Sequence, residues 1–313
     1  MLPVLFFSFT HMKGRFLAAL LFIAGSFAAK AQYADPINIP VYYSVKEALA
    51  DKKAKQLNLR DQKLFYVPKD LSKLKHLEFL NLMRNNLEYW DKEIFTLTEL
   101  EVLNFKLNGI KYVPEDIANL KKLIRIDFSD NSISYLPQEI KALTKLQYLH
   151  LSFNLLISIP EGIGNCKDLE VLELDNNQLS YLPQNITKLK KLKNLQLGFN
   201  QFHEFDGSWL NFPNLEILNM ESNSISYLAQ EIEKQKKLRT LMLANNKLEV
   251  LPQGITNLKE LRLLSLANNK LKTLPEGIEN LTELKTLLLN GNPISNSEKE
   301  RIKKALPNCK VYF

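Results

Sequence analysis

An α/β solenoid, curved and closed at each end by a short cap, accounts for three features of this 313-residue chain. First, an asparagine returns every 23 residues without insertion or deletion, at Asn85, Asn108, Asn131, Asn154, Asn177, Asn200, Asn223, Asn246, Asn269 and Asn292. Second, the phrase L-x-x-L-x-L-x-x-N, with another apolar residue in some leucine slots, precedes each one, as in Leu146, Leu149, Leu151 and Asn154. Third, an L-P-x-x-I-x-x-L return segment usually follows, as in Leu182, Pro183, Ile186 and Leu189. A fixed period of this length marks units that cannot bury their apolar faces alone and stack on their neighbours instead.

Each part of the unit has a physical role. The L-x-L alternation predicts a short strand whose alternate side chains point to opposite faces. The remaining leucines and isoleucines turn inward from the return path. The asparagine must also point inward, where an amide is tolerated only if it is hydrogen-bonded. The ten asparagines are expected to form a structural ladder that ties loop backbone groups together. One unit earlier, Gln62 stands in the asparagine slot.

The flanks read as caps and a leader. Residues 1–31 hold Lys13 and Arg15, an apolar run, and Ala29-Lys30-Ala31 before Gln32. This is the pattern of a cleaved export signal, and the run is shorter than the ~20 residues a membrane-spanning helix needs. Residues 32–54 should form an N-terminal cap, with Ser44 and Glu47 as a capping box opening a helix that runs to about residue 54. The repeats occupy 55–292. Residues 293–313 are expected to close the solenoid with a helix and a last short strand in which Cys309, Val311 and Phe313 face inward.

The repeating phrase resembles the 23-residue leucine-rich repeats of the plant Ras-group and Ras-pathway-scaffold type, which also occur in many bacterial proteins. The resemblance covers roughly residues 55–294. It implies a horseshoe with a concave parallel β-sheet and a convex side of short 3₁₀ or irregular segments.

No catalytic pattern is present. The chain has no Gly-rich phosphate loop, H-E-x-x-H, C-x-x-C or G-x-S-x-G. His76, His150 and His203 lie in different coils, and Cys166 fills a slot held by Leu143 and Leu189 in neighbouring units. Neither a metal nor another cofactor is expected, and the chain reads as a binding module rather than an enzyme. Its formal charge of +7 falls to +4 without residues 1–31, too weak a bias to suggest nucleic acid. The partner is expected to be a protein, met by a periplasmic or secreted chain without a transmembrane anchor after cleavage. A chain whose leader is not a functional signal would be a cytoplasmic scaffold instead.

Three stripes are free of the repeat rule. Concave positions bring together Phe79, Asp127, Tyr148, His150, Phe153, Glu173, Asp175 and Phe199, an aromatic and acidic mixture suited to protein binding. A row including Lys75, Lys122, Lys145, Lys167, Lys191 and Lys237 lines one edge and could attract a glycan or anionic polymer. Tyr66, Tyr89, Tyr112, Tyr135, Tyr181 and Tyr227 follow the asparagine slot by four residues and could stack as a structural ladder or form an adhesive edge.

Overall fold

The computed structural model describes residues 38–313; the export signal read at residues 1–31 lies outside them. Thirteen short strands form one parallel sheet, ordered along the chain from Val41–Tyr42 to Lys310–Tyr312. The register advances by one repeat per strand: Arg125 lies beside Tyr148 and Asp127 beside His150, then Tyr148 beside Val171 and His150 beside Glu173. Strand Val41–Tyr42 pairs with Gln56–Asn58, so the N-terminal cap adds a strand as well as a helix.

The opposite side returns mainly through five-residue 3₁₀ turns such as Gln138–Ala142 and Gln184–Lys188. Proline stands immediately before both, its fixed φ suiting the extended entry and its missing N–H costing no turn bond. Between the two sides lies one continuous core in which Leu149, Leu151, Ile163 and Leu172 are fully buried. Phe105, Phe128, Phe202, Phe205 and Phe212 fill the larger spaces.

The asparagines run along the edge of this core. Asn154 donates through Nδ2 to the carbonyls of Phe128 and Leu151, each at 3.0 Å, and its Oδ1 accepts from Ile133 N at 2.9 Å. Asn177 repeats the pattern with Leu151, Leu174 and Leu156. Each amide thus joins its own coil to the one before.

The caps differ in detail from expectation. Helix α1 spans Val45–Ala50, with Ser44 accepting from Glu47 N at 3.2 Å. It ends before residue 54 because the Asp51 carboxylate takes the Tyr42 hydroxyl at 2.6 Å and Lys53 N at 2.9 Å, turning the chain. Helix α2 spans Asn296–Ala305 behind its N-cap Ser295. Glu298 accepts from Leu274 N at 2.9 Å, and Arg301 donates to Leu274 O at 2.8 Å, pinning α2 to the last coil. Cys309, Val311 and Phe313 then pack partly buried against the core.

In two coils an aromatic–aspartate pair, Trp90-Asp91 and Phe205-Asp206, replaces the L-P dipeptide, and tryptophans fill the convex side there. Trp90 stacks on Phe105 with ring centroids 4.6 Å apart and donates from Nε1 to Tyr112 O at 2.6 Å. Trp209 packs edge-on against Phe202 and Phe205. Beside it, Glu204–Phe205 and Tyr227–Leu228 form a second, two-stranded parallel sheet.

Candidate functional site

The turn after each concave strand places the residue before the asparagine in the left-handed region, with φ between 54° and 58° from Arg84 to Asn268. Asparagine, aspartate and glycine tolerate this region, whereas a bulky side chain there is an outlier. Asp130, Asn176, Asn245, Asn268 and Gly291 follow that preference. Leu107, Phe153 and Phe199 do not. Phe153 and Phe199 are also 54% and 49% exposed, so neither ring is held by the core. Two coils apart, they stand on the rim of the concave face.

A polar chain crosses the sheet between them. Arg125 is buried, and its guanidinium lies 5.2 Å from the centre of the Tyr148 ring. Its Nη2 is 2.8 Å from His150 Nε2, and His150 Nδ1 is 2.6 Å from Glu173 Oε2. Arginine can only donate, so Nε2 accepts and the imidazole proton sits on Nδ1, facing the carboxylate. His150, expected on an open face, is buried and held between Arg125 and Glu173.

The two acids beside it diverge. Burial pushes the Glu173 carboxyl up, but the His150 hydrogen bond and the positive charges of Arg125 and Lys106 outweigh that and leave it lowered. Asp175 is raised to about 7, chiefly by burial, with the Glu173 charge adding to it and the Gly198 N–H opposing. Glu221, next along this face, is also raised by burial.

Phe79 and Asp127 lie apart from that centre, in a groove of about 360 Å³ across the N-terminal coils that Asn58, Asn81, Asn104 and Arg125 also line. Asn81 Oδ1 accepts from Met83 N and Asn104 Oδ1 from Lys106 N. Those bonds settle which amide atom is oxygen, and Arg125 joins the groove to the central chain. Arg125 went unnoticed as a site residue, although a charge at a strand position otherwise taken by Phe79, Val102, Tyr148 and Val171 was a signal. Leu155 and Ile157, exposed where neighbouring coils carry serine or glutamine, were a second one.

Part of the lysine edge is matched within the chain. Lys122 pairs with Glu99 at 2.5 Å and Lys191 with Asp168 at 2.6 Å, while Lys237 donates to Asn214 Oδ1 at 2.7 Å. The six edge tyrosines are each about half exposed or more. Among the described residues, the ring contacts join phenylalanines and tryptophans of the core and none of these tyrosines. Burial pushes the Cys166 thiol up to about 12. Among the described residues no cluster of three or more His, Cys, Asp or Glu could hold a metal, and no helix is long and apolar enough to cross a membrane.

A curved parallel sheet backed by 3₁₀ turns and an asparagine ladder defines a leucine-rich-repeat solenoid. The chain belongs to the leucine-rich-repeat proteins. Family descriptions match in three segments: "leucine-rich repeat region" over 55–154, "leucine rich repeats (2 copies)" over 144–191 and "leucine rich repeat" over 236–294. Among solved structures, a leucine-rich-repeat protein of Leptospira interrogans is 33% identical over 84% of both chains, with a TM-score of 0.52. An internalin of Listeria monocytogenes shares the fold at 23% identity and a TM-score of 0.76, over 84% of this chain and 74% of its own. The plant peptide hormone receptor RGFR1, solved in complex with RGF2, is 26% identical over 81% of this chain and 46% of its own, with a TM-score of 0.63. No curated protein matches the chain significantly.

Proposed function

We propose that this chain is a non-catalytic binding module that takes a protein partner on its concave face, with Phe153 and Phe199 as anchors. The observation that carries this reading is the pair of exposed aromatic rings on left-handed backbone. Neither core packing nor backbone preference accounts for them, whereas exposed aromatics are what buried interface anchors need. Tyr148, His150, Glu173 and Asp175 supply a rigid polar floor between the two rings. A related plant receptor solved with RGF2 supports a binding role for a solenoid of this kind.

Replacing Phe153 and Phe199 together by asparagine, which suits their backbone, should leave the melting temperature unchanged or raise it. Capture of cross-linked partners from the native cell should be lost. Undiminished capture by the folded double variant rules out the concave anchors.

We further propose that the chain is exported to the periplasm or beyond, as residues 1–31 suggest. Mass spectrometry of the native protein should find it beginning at Gln32. A chain retaining residues 1–31 in the cytoplasm would favour the alternative that the Ras-group resemblance suggests, an intracellular signalling scaffold.

A further inference from the structure

Apart from Tyr43 and Tyr312, every exposed large apolar side chain among the described residues lies in one short stretch of its coil. That stretch runs from the residue before the ladder position to the fourth after it. The solenoid therefore gathers its exposed apolar side chains on one flank, and the row from Lys75 to Lys237 lies outside that stretch. Contiguous apolar surface of this kind marks an interaction site.

The centre of the flank is the coil of Asn154. Leu155 and Ile157 are 46% and 61% exposed there, at places held by Ser132 and Ser134 one coil before and by Gln178 and Ser180 one coil after. Tyrosines match about this centre one coil away, Tyr135 and Tyr181, and three coils away, Tyr89 and Tyr227; two coils away Tyr112 has Glu204 in its slot. Between Ser132 and Tyr181 the flank carries no charge. Two coils out, the pair Lys111-Tyr112 on one side faces the pair His203-Glu204 in the same two slots on the other, and the exposed Lys111 and Glu204 carry opposite charges one slot apart. Lys111 has only a long contact of 3.6 Å, to Glu88 of its own chain.

We propose that this flank binds a second copy of the chain, the two solenoids running antiparallel about a two-fold axis at Ile157. A two-fold contact places the same patch on both copies, so the patch must complement itself. This one does. Ile157 meets Ile157, Tyr135 meets Tyr181, and Lys111 meets Glu204 twice, once on each side of the axis. A uniformly charged flank would repel its copy, and a one-sided apolar patch would have no match in the antiparallel register. The aliphatic centre also favours a protein over a neutral glycan, for which tyrosines alone would serve as stacking platforms. Seven coils at ~4.8 Å each make a strip of about 30 Å. That places the contact toward the small end of specific interfaces, with association in the micromolar range.

Sedimentation velocity of the full chain from about 1 to about 100 μM tests this directly. The expected result is a concentration-dependent dimer. Ile157→Lys should be monomeric throughout with an unchanged melting temperature, because its side chain touches little of its own fold. Glu204→Lys should weaken the dimer about tenfold, and adding Lys111→Glu should restore it. A chain that stays monomeric at the highest concentration, or an Ile157→Lys variant that still dimerises, overturns the proposal. Failure of the double exchange to restore association overturns the antiparallel register. Retardation of the monomeric chain by a neutral β-glucan in affinity electrophoresis, abolished by Ile157→Lys, would assign the flank to glycan instead.

Discussion

Asp175 Oδ1 lies where a β-carbon on Gly198 would come within 2.9 Å of it. From there it accepts from Gly198 N at 2.7 Å and reaches past that strand to Asn219 Nδ2 at 3.1 Å. The missing side chain at Gly198 leaves room for this bridge, and a β-carbon there would displace Asp175 or Asn219. The carboxyl is well bonded but poorly hydrated, and burial raises its pKa to about 7. In the unfolded chain it titrates near its ordinary value of 3.8. Between those two values the folded state holds a proton that the unfolded state has released, so stability falls as pH rises across that window and levels off above it. Asp175→Asn keeps the accepting Oδ1 and removes the charge. The variant should be more stable than the parent by about 1–3 kcal/mol above neutrality. The two should converge toward pH 4, and urea titrations at a series of pH values measure the difference. A parallel pH dependence in both proteins would show that Asp175 titrates normally in the fold.

At the scale of elements, the parts set by the backbone period were legible in the sequence and the parts set by side chains meeting across coils were not. Strand positions and the inward leucines follow from local phrases, because the period of a strand is a property of a few adjacent residues, while the 3₁₀ returns were implied by the family resemblance. The Ser44–Glu47 capping box located the start of α1, but its end depended on Asp51 finding Tyr42 and Lys53. The concave residues were placed by slot. Their slot did not show that His150 would be buried between Arg125 and Glu173, since those partners are 25 and 23 residues away in sequence. The near-copied phrases NSISYLPQEI and NSISYLAQEI make the same point. Ala229 replaces Pro137 and restores an N–H, which donates to Phe205 O at 3.4 Å beside the second sheet. A lost proline that reads as drift is in the fold an added donor.

Across the whole molecule, cohesion is a chain of nearest-neighbour contacts, and the asparagine ladder is its hydrogen-bonded part. Stability in such a solenoid is close to a sum over units and the interfaces between them. The position of a defect should therefore matter as much as its size. Asn177→Ala leaves the buried Leu156 N without the Oδ1 that it meets at 3.0 Å. The carbonyls of Leu151 and Leu174 keep Asn154 and Asn200 as donors, so one stranded amide dominates the cost, about 1–3 kcal/mol. Asn292→Ala strands Leu271 N in the same way, but beside the C-terminal cap. The central variant weakens the only interface that couples the coils before it to the coils after it. Its urea transition should shift downward and broaden toward two steps, with faster amide exchange on both sides of residue 177. The terminal variant should keep one main transition and show faster exchange only in the last coils. Identical transitions for the two variants would mean that the solenoid unfolds as a single cooperative block, and that the ladder does not transmit stability from coil to coil.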